Sequence, residues 1–171
     1  MVAPESLAPL ELLYETDGLP RTPLPAELAR IYDGDLGLGE ECVYANFVVT
    51  VDGAVAIPAM PRSNEFIAGN SDADRFVMGL LRAFADAVLV GAGVLRASPR
   101  GTWRPDGIFP PAASEYAELR ERLGTSAAPE VAILTGSGDI GVGQRHRKTP
   151  RWNRTILADR PGPRGIAGAL C

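Results

Sequence analysis

Hydrophobic and polar positions follow two periods along this chain. Between Ser71 and Phe84, the residues Phe76, Val77, Leu80, Leu81 and Phe84 recur at helical spacing and form one apolar stripe. Ser71 suits an N-cap, and Asp72 and Asp74 favour the positive helix start, so a helix is expected over 71–84. "PAELARIYD" predicts an earlier short helix, with Pro25 near its start and Leu28, Ile31 and Tyr32 on one face. Ser114 to Leu123 predicts another, closed by Gly124. Three nearly continuous apolar runs predict strands: residues 43–51 in "VYANFVVTVDGAVA", Asp86 to Gly91 in "DAVLVG", and Glu130 to Gly136 in "EVAILTG". Runs of this kind belong to strands buried on both faces of a parallel sheet. "DGAVAIPAMPRSNEFIAGN" and "ASPRGTWRPDGIFPP" predict loops, because proline limits regular structure. The order strand, helix, strand, helix, strand argues an α/β domain with a largely parallel sheet and right-handed crossovers.

Composition narrows the classes. At 171 residues the chain suits one domain, and 46% apolar with 22% charged residues is ordinary for a globular protein. The 19 glycines and 15 prolines exceed the usual combined share of about 12%, so loops should be extensive. No apolar run approaches the ~20 residues of a membrane helix, and the acidic N-terminus lacks a signal-peptide pattern. The lone histidine, His146, leaves too few ligands for a zinc site and argues against a Ser-His-Asp triad. Two isolated cysteines, Cys42 and Cys171, suggest a reducing compartment, so a cytoplasmic protein is expected.

Three places offer chemistry. Asn46 interrupts an apolar run, where a buried amide without a partner would cost roughly 1–3 kcal/mol; it either satisfies a backbone group or lines a site. Asp52 and Gly53 end the same run, as a turn or as a carboxylate presented to a ligand. "VLVGAGVLRAS" ends a strand in Gly91-Ala92-Gly93, where glycine allows close backbone approach to a phosphate. A tight turn needing glycine is the plainer reading. The third glycine of a dinucleotide fingerprint is absent, and Pro99 ends any following helix early. Arg82 suits the negative end of its helix and could also reach a phosphate.

Together, "YANFVVTVDGAVA" and "DADRFVMGLLRAFADAVLVGAGVLRAS" resemble the pyrimidine reductases of riboflavin biosynthesis, the family that also forms the C-terminal domain of deaminase/reductase fusions. The family pattern runs Asn, a strand, Ser-Leu-Asp-Gly, a loop, Arg-Ala-x-x-Asp-Ala, a strand and Gly-Ala-x-Thr. Asn46, "TVDG" at 50–53, "RAFADA" at 82–87 and "GAGV" at 91–94 match it in order, over roughly residues 43–135. The resemblance implies a dihydrofolate-reductase-like three-layer sandwich around a mixed sheet, usually dimeric. It implies NADPH-dependent reduction of a 5′-phosphorylated ribosylamino-pyrimidinone. Asn46 and Asp52 would be catalytic, and Asn46, Thr50, Asp52 and Arg82 would hold the substrate. Gly53, Gly91, Ala92, Gly93, Val94 and Leu95 would hold the cofactor.

The sequence departs from the pattern at three points. Val94 stands where the family has Thr, and Thr50 stands where it has Ser. After Ile140 the expected Gly-Gly-Pro segment is missing. Residues 141–171 carry a net charge of +6, against −10 for residues 1–140. The expected division is a lead-in over 1–42, a reductase-like domain over 43–140 that is incomplete after residue 140, and a basic tail over 141–171. The tail reads as foreign frame or as solvated chain, ahead of a nucleic-acid-binding arm in which Trp152 would stack on a base. The first 42 residues do not resemble the deaminase domain, so a stand-alone reductase, or a partial copy of one, is expected. The alternative is a non-catalytic α/β domain that binds a nucleotide or a protein.

Overall fold

A helical core leads into a small parallel sheet, and the whole is a mixed α/β arrangement. The computed structural model describes residues 6–39, 41–58, 60, 63–97 and 102–137. In chain order the elements are β1 (Arg21–Thr22), α1 (Ala26–Tyr32), β2 (Leu36–Gly37), α2 (Ser63–Ala68), α3 (Asp72–Phe84), β3 (Ala87–Gly91), α4 (Ala92–Ala97), α5 (Pro105–Ile108), a 3₁₀ turn (Pro110–Ala112), α6 (Ala113–Arg122) and β4 (Glu130–Leu134).

The apolar stripe folds as its spacing predicts. Ser71 Oγ accepts from the Asp74 amide at 3.3 Å and caps α3. Phe76, Leu80 and Ala83 are fully buried, with Val77, Leu81 and Phe84 packed beside them. Leu24, Leu28, Ile31 and Leu36 join the same core, so the expected lead-in supplies part of it. Phe109, Ala112, Tyr116 and Leu119 close it from α6 and the turn before α6. Each such Leu, Ile or Phe contributes roughly 1.5–3 kcal/mol by leaving water. Phe76 and Phe109 meet edge to face at 6.0 Å. Tyr116 crosses α3 at Gly79, and its hydroxyl donates to the Phe76 carbonyl at 2.8 Å.

β3 and β4 pair in parallel, with Val88 opposite Val131 and Val90 opposite Ile133. That face packs on Ala92, Leu95 and Trp103. The expectation of a strand buried on both faces fails here. Leu89 is 62% exposed and Leu134 43%, because among the described residues helix α4 covers one face only. β1 and β2 form a two-residue antiparallel pair that the sequence pattern did not predict.

The larger correction concerns residues 43–51. Val43 is a single bridge position and residues 44–50 form no ladder. Val43, Phe47, Val49 and Val51 are exposed rather than buried. Strand formation needs a neighbour, and among the described residues β3 pairs with β4 alone. Two expected loops also hold short helices. In α2, buried Ser63 accepts from the Ile57 amide at 3.0 Å. In α5, Pro105 opens the first turn, where its missing N–H costs nothing. The basic tail, 141–171, lies outside the described residues.

Arg120 joins the helical core to the sheet. It is 2% exposed. Its Nη1 donates to the carbonyls of Ala83 and Ala85, both at 2.9 Å, and its Nε to that of Ser126 at 2.5 Å. The last carbonyls of a helix have no partner within it, and a cation there meets the negative end of the dipole.

Two substitutions test this packing. In Gly79→Ala, the new Cβ would stand 2.6 Å from Tyr116 Oη and 2.7 Å from Cζ. The clash should outweigh the ~1 kcal/mol gain in helix propensity and lower the urea midpoint by a net ~1–3 kcal/mol. Arg120→Met should cost on the order of 3 kcal/mol in the same assay, through orphaned buried carbonyls. A midpoint equal to wild type in either variant would refute the corresponding contact.

Candidate functional site

An open cleft of about 1110 Å³ runs between residues 42–46, the last turns of α3 and the edge of β3. Every residue from Asp86 to Gly91 borders it, as happens where a cleft follows the unpaired edge of a strand. Asn46, Arg82, Gly91 and Val94, four of the residues singled out from sequence, line this one cleft.

Asn46 is exposed on the cleft wall, so its amide carries no burial cost. Two residues earlier, Tyr44 fixes the segment to α3: its hydroxyl donates to the Leu81 carbonyl at 2.6 Å. Burial pushes the Tyr44 phenol far above its ordinary range, so it stays neutral and acts as an anchor.

Arg82 sits in the last turn of α3. Its Nη1 donates to the Thr102 carbonyl at 2.8 Å, and the guanidinium lies over the Trp103 ring, 5.3 Å from its centroid. Burial pushes its pKa down to about 10, so it remains a cation at neutral pH. No carboxylate among the described residues pairs with it. Trp103 also borders the cleft, and its indole Nε1 is buried without a hydrogen-bond partner among the described residues.

The glycines are informative through what they do not need. Neither Gly91 nor Gly93 has a positive φ. A Cβ at Gly91 would meet nothing within 4 Å, and one at Gly93 would meet only the tip of Arg96 at 4.0 Å. Neither backbone conformation nor packing requires glycine there, which removes the tight-turn explanation. Ala92 and Leu95 point into the sheet core, while Val94 is exposed on the cleft. Helix α4 has six residues, too few for a strong dipole.

Thr50, Asp52 and Gly53 are not among the residues that border the cleft. They form a separate exposed turn. Thr50 N donates to Ala54 O at 3.0 Å, Gly53 N to Thr50 O at 2.9 Å, and Ala54 N to Thr50 Oγ1 at 2.9 Å. The Thr50 hydroxyl donates to Asp52 Oδ1 and holds that carboxyl below the usual range. Gly53 has φ +90°, which favours glycine. A general acid works best with a pKa near the operating pH; Asp52, exposed and lowered, is an anionic acceptor.

Sequence reasoning missed Trp103, Tyr44 and Arg120. An aromatic residue inside a Pro/Gly-rich loop was the one local signal for Trp103; the other two act through contacts distant in sequence. No group of His, Cys, Asp and Glu among the described residues could hold a metal ion. Among those residues no helix is long and apolar enough to cross a membrane. No protein-family model matches the chain, and no curated protein matches it.

The Asp52 turn makes a pH prediction. A depressed folded-state pKa contributes stability that is present above the ordinary aspartate value and lost as pH falls through the lowered one. Carboxyl NMR titration should place the Asp52 midpoint below that of an unstructured aspartate, and Thr50→Val should raise it. A midpoint unmoved by Thr50→Val would show that the hydroxyl does not hold the carboxylate.

Proposed function

We propose that the chain is an NADPH-dependent reductase of a 5′-phosphorylated ribosylamino-pyrimidinone, or a partial copy of one, built on a dihydrofolate-reductase-like sandwich and acting as a homodimer. One observation carries this reading: a parallel strand ends at Gly91, a glycine that the fold does not require, on a cleft also lined by Asn46 and Arg82. Ligands of open α/β sheets bind outside the carboxyl ends of strands. The cleft is slightly above the ~300–1,000 Å³ of small-molecule sites, so it has room for a dinucleotide beside a small substrate.

The residues fit such a group in kind. Gly91 offers backbone with no side chain in the way. Asn46 brings an amide that both donates and accepts, suited to a carboxamide or a pyrimidinone edge. Arg82 brings a permanent charge for a phosphate. When bound, NADPH supplies the hydride that opens the ribosyl ring to a ribityl chain. Asp52 and Thr50, six and four residues beyond Asn46, serve this reading as polar groups at the end of the same segment.

A non-catalytic domain that docks a protein is the second reading. The exposed Val43, Phe47, Val49 and Val51 favour it, since contiguous apolar surface marks interaction sites.

NADPH titration with a thermal-shift readout separates the two. Ligand at 100 times its dissociation constant should add about 2.7 kcal/mol of stability. Gly91→Val should abolish that shift while leaving the ligand-free melting temperature nearly unchanged, because the Cβ position is open and valine suits a strand. Absence of any shift at millimolar NADPH would remove the reductase reading from this chain.

A further inference from the structure

An aspartate followed by glycine is the pair at which a main chain most readily rearranges unaided, because glycine sets no side chain between its nitrogen and the neighbouring carboxyl group. The chain holds four such pairs: Asp17–Gly18, Asp33–Gly34, Asp52–Gly53 and Asp106–Gly107. In the rearrangement the glycine nitrogen attacks Cγ of the aspartic acid. The amide proton and the carboxyl hydroxyl leave as one water, and a five-membered succinimide closes. Water then adds back at either carbonyl. Addition at the main-chain carbonyl breaks its bond to the nitrogen and leaves the chain running through the side chain, as isoaspartate. One water leaves and one returns, so nothing is oxidised or reduced.

Three of the four pairs are restrained. Gly34 N donates to Ala29 O at 2.9 Å, Gly53 N to Thr50 O at 2.9 Å and Gly107 N to Arg104 O at 3.2 Å. Each bond must break before its nitrogen can turn toward the carboxyl group. Two of the carboxylates are held as well, Asp52 by the Thr50 hydroxyl and Asp106 by an ion pair with Arg104 at 3.0 Å. Such partners favour the ionised form, and only the protonated acid has a hydroxyl to lose. Asp17–Gly18 has neither restraint among the described residues: Gly18 N has no acceptor, and the Asp17 carboxylate has no hydrogen bond or ion pair. Both residues are exposed in a turn, Gly18 has φ +77°, and nothing lies within 4 Å of where its Cβ would be. The ring therefore has room to close.

We infer that Asp17–Gly18 is a self-modification site that converts to isoaspartate through its own succinimide, with water as the only reagent, while the fold shields the other three pairs. The change would reach beyond the turn. The Glu15–Arg21 ion pair spans the site, and Pro20, Arg21 and Thr22 border the cleft. Isoaspartate adds one atom to the main chain between Glu15 and Arg21, which alters how that pair can close. The inference stands whether or not the cleft takes a dinucleotide.

The test uses the unmodified full chain, held in mildly acidic buffer and sampled over time. Peptide mapping with electron-transfer fragmentation distinguishes isoaspartate from aspartate at equal mass. Isoaspartate should accumulate at Asp17 about fivefold faster than at Asp33, Asp52 or Asp106, the rate equivalent of one amide hydrogen bond. In urea, where the restraining bonds are gone, the four rates should converge. Equal rates at all four positions in the folded chain would overturn the inference. So would a lead at Asp17 that persists undiminished in urea, because flanking sequence and not the fold would then set the order.

Discussion

The guanidinium of Arg120 is the joint on which the rest of the structure depends. α3 ends at Phe84 and β3 begins at Ala87, so the chain passes from helix to strand within a few residues. Carbonyls on that passage would be buried and unsatisfied without a donor. Arg120, projecting from α6, reaches Ala83 and Ala85 there and Ser126 in the loop that leads to β4. The same joint therefore sets where both strands start, and the Glu130 amide completes it by donating to Asp86 O at 2.8 Å. A lysine has the charge but lacks the planar fork that spans carbonyls from separate elements. Burial lowers the Arg120 pKa, with Asp86 and Tyr44 opposing that shift. The charge is held mainly by carbonyl dipoles, not by a salt bridge.

Much of this arrangement was legible in the sequence where the signal is local. The stripe of Phe76, Leu80 and their neighbours specified α3, and Ser71 specified its start, because both are set within a few residues. β3, α6 and β4 emerged from apolar runs bounded by glycine and proline signals. Residues 43–51 carry an equally good strand pattern, yet a strand is defined by its neighbour, and pairing is non-local. The six-residue α2 and four-residue α5 escaped notice because so few residues show no period. Arg120 was invisible for the same reason as the strand neighbour: its acceptors lie 35 and 37 residues away.

The candidate site divides along a similar line. Asn46, Arg82 and Gly91 were identified separately, and the fold brings them to one cleft. Asp52 was identified from a dipeptide that forms turns, and it forms a turn. The glycines moved in the opposite direction. Their sequence context suggested conformation, but their dihedrals and open surroundings do not require glycine. Trp103 shows how a residue of the cleft hides in a loop: its partner Arg82 is twenty-one positions earlier, on a helix.

The open side of β3 also has a kinetic signature. Along a strand, successive amides point alternately to one neighbour and the other. β4 supplies acceptors on one side, whereas the cleft supplies none from the described residues. Deuterium uptake along residues 87–91 should therefore alternate between slow and fast from one amide to the next. Any molecule that lies along that margin would erase the alternation.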